Sequence, residues 1–147
     1  MNRPVLSIKR LSELATLPAY QSAEAAGMDL HAAIEQTIEI EPGAIVFIPL
    51  GFAMALPPGF EGQVRPRSGL ASRHGITLPN APGTIDSDYR GEVKIPLVNL
   101  GDSVFTIERG MRIAQMIIAP VVQAELQEVD DLDDSERGEG GFGSTGQ

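Results

Sequence analysis

The sequence predicts an all-β domain, a sandwich, jelly roll or barrel, with one short helix and a flexible C-terminal arm. Three observations lead there. Short runs of alternating apolar and polar residues recur along the chain, the pattern of strands with one face covered. Proline or glycine interrupts almost every ten residues, so no long segment keeps a helical period. The last eleven residues, RGEGGFGSTGQ from Arg137 to Gln147, hold five glycines.

Taken in order, TIEIE sets Ile38 and Ile40 on one face, and a Pro42-Gly43 turn leads into AIVFIPL. A short helix fits SGLASR, Ser68 to Arg73. EVKIPLV sends Val93, Ile95 and Leu97 to one side. RIAQMIIAPVV reads as a strand covered on both faces, although it carries Arg112 and Gln115. Such a strand lies either at the centre of the chain's own sandwich or against another subunit. ELQEVDDLDDSE is a charge run of the solvated, weakly ordered kind. The expected division is a β domain over residues 1–124, an acidic spacer over 125–136 and a glycine-rich arm over 137–147, all one domain.

Composition narrows the function. A chain of 147 residues is long enough for a real core. No stretch approaches the ~18 apolar residues of a membrane span, and MNRPVLSIKR lacks the apolar run of a secretion signal, so the expected location is the cytoplasm. Without cysteine there are no disulfides and no Cys-based zinc sites. A formal net charge of -9 argues against a general nucleic-acid binder, which needs a basic surface. The positive charges therefore matter by position: Arg65, Arg67 and Arg73 cluster, Arg109 and Arg112 pair, and Arg137 stands alone in the tail.

Only His31 and His74 could serve a His-rich metal site, and either is expected to be structural or merely exposed. There is no phosphate-binding G-x-x-x-x-G-K-[ST] loop and no G-x-S-x-G elbow. Three dense polar segments remain. AAGMDLHA sets Asp29 behind a glycine. RPRSGLA offers Arg67, Ser68 and backbone N–H groups that suit a phosphate, or else Ser68 is a plain helix N-cap. NAPGTIDSDYRG packs Asn80, Asp86, Asp88, Tyr89 and Arg90 around an expected hairpin turn, where the two aspartates also suit ordinary turn formation. Arginines for phosphates, carboxylates for a hard divalent cation and an aromatic for a ring together suit a phosphorylated ligand. The tail is then either a frayed end or a flap that closes on something flat and negatively charged.

The chain resembles the homotrimeric deoxyuridine triphosphatases (dUTPases). Five motifs of that family are matched in order by AGMDL (Ala26–Leu30), RPRSGLA (Arg65–Ala71), NAPGTIDSDYRGEV (Asn80–Val93), RIAQMI (Arg112–Ile117) and RGEGGFGSTG (Arg137–Gly146). The upstream LPAYQSAEAAG also matches, so the resemblance covers nearly the whole chain, and five motifs in register are very specific. It implies a jelly-roll subunit, a trimer with sites at the subunit junctions, and hydrolysis of dUTP to dUMP and pyrophosphate with Mg2+. It further implies that Asp86 orients and deprotonates the water attacking the α-phosphorus, and that Asp29 meets the metal's water shell. Arg67, Ser68 and Gln115 resemble the phosphate-chain contacts, joined from the closing arm by Arg137, Ser144 and Thr145. Asn80 with backbone groups near Gly83 and Ile85 would read the uracil edge, Tyr89 would pack under the deoxyribose and block a 2′-hydroxyl, and Phe142 would cap the ring. Gly69, Thr84, Lys94 and Gly143 complete the implied substrate contacts.

Two rivals differ in consequence. The dCTP deaminases are similar in architecture, but GTIDSDYRG and the GFGSTG arm match the triphosphatases instead. A dUTP-sensing protein without catalysis is opposed by the intact Asp86.

Overall fold

A computed structural model describes residues 3–146; Met1 and Asn2 of the N-terminal segment and Gln147 of the arm lie outside the described residues. Ten strands and one helix follow one another as β1 (Ser7–Arg10), β2 (Met28–His31), β3 (Ile38–Ile40), β4 (Ile45–Ala55), β5 (Phe60–Pro66), α1 (Ser68–His74), β6 (Ile76–Thr77), β7 (Gly83–Ile85), β8 (Glu92–Asn99), β9 (Phe105–Ile107) and β10 (Arg112–Pro120). One four-stranded sheet has the order β1-β4-β8-β6, a second has β2-β10-β5-β7, and β3 pairs with β9 in a small third. All pairings are antiparallel. The expected all-β, jelly-roll-like architecture is therefore observed. Among the described residues no helix is long and apolar enough to cross a membrane.

The alternation read in the sequence becomes the core between the sheets. Ile48, Phe52 and Met54 of β4 and Val93, Ile95 and Leu97 of β8 point inward from one side. Leu30, Val64, Ala114 and Met116 meet them from the other, in one continuous apolar cluster. A period of two puts every second side chain there, and at ~25 cal/mol per Å2 of apolar surface this burial is the main stabilising contribution. β10 is a central strand of its own sheet. Its Ala114 and Met116 are fully buried, while Gln115 and Ile117 on the opposite face are only half-buried.

Two features hold the functional segments in place. The helix runs one residue past its expected end and stops at Gly75, whose φ of 69° is the left-handed conformation that glycine adopts without strain. Its carbonyl accepts from Leu100 N–H at 2.8 Å, tying the helix to the β8–β9 connection. That connection is stapled by fully buried Asn99, which donates to Ile40 O and Ser103 O, both at 2.8 Å, and accepts from Gly101 N–H at 2.9 Å.

The segment around Asp86 departs from the expected hairpin. β7 pairs with β5, not with β8. Residues 86–91 therefore form a corner that carries the chain from one sheet to the other. The physical reason is burial: Gly83 and Ile85 face inward and complete the β5 edge, while Val93 and Ile95 complete the opposite layer.

Candidate active site

The polar motifs gather into two groups. The first lies at one end of the β2-β10-β5 surface. Asp29 stands level with Gln115, and Gln115 level with Arg65, in adjacent strands. Alternation turns these side chains away from the core. Arg67 follows β5 and caps α1 with its backbone; no side-chain cap bond forms, and Ser68 is the first helical residue rather than the N-cap. Arg67 brings Nε within 4.0 Å of Asp29 Oδ1 and donates from Nη1 to Arg112 O at 3.2 Å. Arg112 donates to Asp29 Oδ2 at 3.4 Å. Asp29 is thus a mostly buried carboxylate held between two guanidinium groups. Gln115 donates from Nε2 to Pro66 O at 3.0 Å.

The sequence reading did not single out Arg112 as a site residue, and it left His31 without a role. β2 turns His31 toward the same cluster, level with Arg112. Its Nδ1 is buried without a hydrogen-bond partner among the described residues. Burial lowers the His31 pKa below its ordinary value of 6.5; the Asp29 carboxylate pulls it back up, and Arg112 and Arg67 add to the lowering. Arg109 and Arg65 bond elsewhere. Arg109 donates to Ile34 O and Glu35 O, and Arg65 to Gln63 Oε1.

The second group is the corner after β7. Asp86 is exposed, and its carbonyl accepts from Tyr89 N–H at 3.2 Å, so it does form a turn while leaving its carboxylate in solvent. Leu56 N–H reaches Ser87 O, and Arg90 Nη1 donates to Ser87 O at 2.7 Å, pinning the turn from both sides. Tyr89 is not a core aromatic: it is 46% exposed, and its hydroxyl donates to Glu92 O at 3.0 Å. A Cβ on Gly91 would overlap that hydroxyl, which explains a glycine there.

Asp86 and Thr84 divide two cavities. One, of about 440 Å3, is lined by Phe47, Ile85, Tyr89, Glu92, Val93 and Lys94 besides the two. The other, of about 530 Å3, is walled by Phe60, Glu61, Ser87, Asp88, Val121 and Gln123. A narrow cleft of about 70 Å3 beside β7 takes in Asn80, Gly83, Ile85 and Lys94.

The two groups are not brought together within one chain. Asp29 lies on β2 and Asp86 just beyond β7, at opposite edges of the sheet. Asp29 is level with Arg65, whereas Ile85 is level with Gly62. With strands ~4.8 Å apart and ~3.3 Å per residue, the backbone positions of the two aspartates are roughly 20 Å apart. The arm is a third piece. Beyond Pro120 there is no strand or helix among the described residues. Arg137 donates to Gly140 O at 2.6 Å and Ser144 N–H to Gly141 O at 3.0 Å, while Phe142 is fully exposed.

Comparison with known proteins agrees with these motifs. A family model described as dUTPase matches residues 13–146. The deoxyuridine 5'-triphosphate nucleotidohydrolase of Rhizobium leguminosarum bv. trifolii is 58% identical, over 98% of this chain and 95% of that protein. That of Syntrophotalea carbinolica is 53% identical over 99% of each. Among solved structures, the dUTPase of Staphylococcus bacteriophage 80alpha with dUpNHpp superposes with a TM-score of 0.89 at 30% identity, covering 97% of this chain and 99% of that one. Matched from its first strands to its glycine-rich arm, the chain belongs to the dUTPase family.

Proposed function

We propose that this chain is a dUTP diphosphatase, hydrolysing dUTP to dUMP and pyrophosphate in sites completed by neighbouring copies in a homotrimer. Such an activity limits uracil incorporation into DNA and supplies dUMP for thymidylate synthesis. The feature that carries the reading is the separation of Asp86 from Asp29, roughly 20 Å by strand order and register. Attacking water and phosphate grips must meet on one triphosphate, so the corner of one copy faces the cluster of the next. Closed three-fold symmetry repeats that contact three times.

Each part then has a task. The cleft at Asn80, Gly83 and Ile85 takes the uracil edge, and its narrowness leaves no room for a thymine methyl. Tyr89 packs against the deoxyribose, and Lys94 and Thr84 line the same side. Asp86, exposed beside this pocket, orients a water in line with the α-phosphorus and accepts its proton. It contributes by positioning the water as much as by removing its proton. Arg67, Ser68, Gly69 and Gln115 of the neighbouring cluster hold the phosphate chain. Arg137, Gly143, Ser144 and Thr145 close over the β- and γ-phosphates, where negative charge grows as pyrophosphate leaves. Phe142 covers the uracil ring. Residues 1–124 thus form the β domain, 125–136 the acidic spacer and 137–147 the arm.

The donor set fits Mg2+. Among the described residues no group of three or more His, Cys, Asp or Glu side chains could cage a metal. Asp29 is already balanced by two guanidiniums, which suits contact through water to an ion held mainly by phosphates. When bound, Mg2+ neutralises phosphate charge and orients the chain. The enzyme acts in the cytoplasm, without nucleic acid or membrane.

The test is pyrophosphate release from dUTP and from the four common deoxynucleoside triphosphates. Release from dUTP alone is expected. Ammonia from dCTP, or tight dUTP binding without turnover, would overturn the reading.

A further inference from the structure

We propose that Gly27 is a positioning residue, kept without a side chain so that the Gln115 carboxamide can lie in its working orientation. Gly27 precedes β2, and the β2–β10 register makes it the diagonal cross-strand neighbour of Gln115. A Cβ on Gly27 would stand 2.6 Å from Gln115 Oε1 and 3.4 Å from its Cδ. Its backbone does not demand glycine, because its φ lies outside the left-handed region. The constraint is therefore a close approach, and what it crowds is the far end of one side chain.

That side chain is oriented by its other contact. Nε2 places one N–H on Pro66 O at 3.0 Å. A primary amide has two N–H donors, so the second remains for a phosphate oxygen. Reversing the amide would set two oxygens against each other at Pro66. An alanine at 27 pushes Oε1 away and breaks this arrangement, and the three atoms nearest its Cβ all belong to the Gln115 side chain. The fold should survive while the donor is lost. This rests on Gln115 being a phosphate contact, as proposed above.

The experiment measures affinity of the full chain for dUpNHpp with Mg2+ by calorimetry, in wild type, Gly27→Ala, Gln115→Ala and the double variant, with thermal midpoints alongside. Each single variant is expected to bind about tenfold more weakly, the value of one hydrogen bond to a charged group. The double variant should be no weaker than Gln115→Ala alone, because both act on one donor. Wild-type affinity in Gly27→Ala, or a further tenfold loss in the double variant, would overturn the inference. If Gly27→Ala misfolds, folding should return in the Gln115→Ala background, and failure to return overturns it too. Wild-type affinity in Gln115→Ala would instead overturn the phosphate role of Gln115 itself.

Discussion

Asp86 and His31 show two ways in which a single side chain can matter here. Asp86 lies in an exposed turn at the end of β7, so its carboxylate contributes nothing to the core. Asp86→Asn keeps the size and the turn and removes the base. It is expected to lower kcat by about three orders of magnitude, the span of general-base contributions, with dUpNHpp affinity retained. Near-normal hydrolysis would reject water activation by this residue. His31 acts on stability. Its pKa is below 6.5 in the folded chain, first because of burial, so the unfolded chain binds the proton more readily. Stability is whole above pH ~6.5 and is lost as pH falls below it. His31→Gln should flatten the fall of thermal midpoint below pH ~6.5; parallel curves for variant and wild type would reject the assignment.

Among the elements, the helix was readable because its signals are local: a seven-residue run closed by a glycine at its C-cap. The strands were readable as alternation, and β4, β8 and β10 fall where it was seen. The corner was not. Whether β7 pairs with β8 or β5 depends on which layer each buries, and no nearby residue encodes that. The arm is the opposite case, since its glycines and turns are visible in the sequence and among the described residues it adds no strand to any sheet. Deleting residues after Glu136 is expected to collapse turnover by at least a hundredfold, as loss of transition-state donors does, with the oligomer unchanged by light scattering. An active truncation would return the arm to a frayed end.

At the scale of the molecule, one chain carries the Asp29 cluster and the Asp86 corner on opposite edges of a sheet. Mixing is the direct check. Asp86→Asn and Arg67→Ala chains are each expected to be inactive alone. Co-expressed, they should form trimers in which about a quarter of the sites pair an intact corner with an intact cluster, if copies assort at random. Activity near that fraction is expected, and none at all would place both halves in one chain.

By itself the sequence determined the β alternation, the short helix, the family motifs and the chemistry each motif can offer. Those depend on residue identity and on periods of two to four residues, which act over a few ångströms of chain. Only the tertiary structure decided that Arg112 reaches Asp29 across 83 positions, that His31 joins them, that Gly27 lies beside Gln115, and that Asp86 lies at the opposite edge of the sheet from Asp29. Such contacts follow from strand order and register, which are set when distant segments bury their apolar faces together.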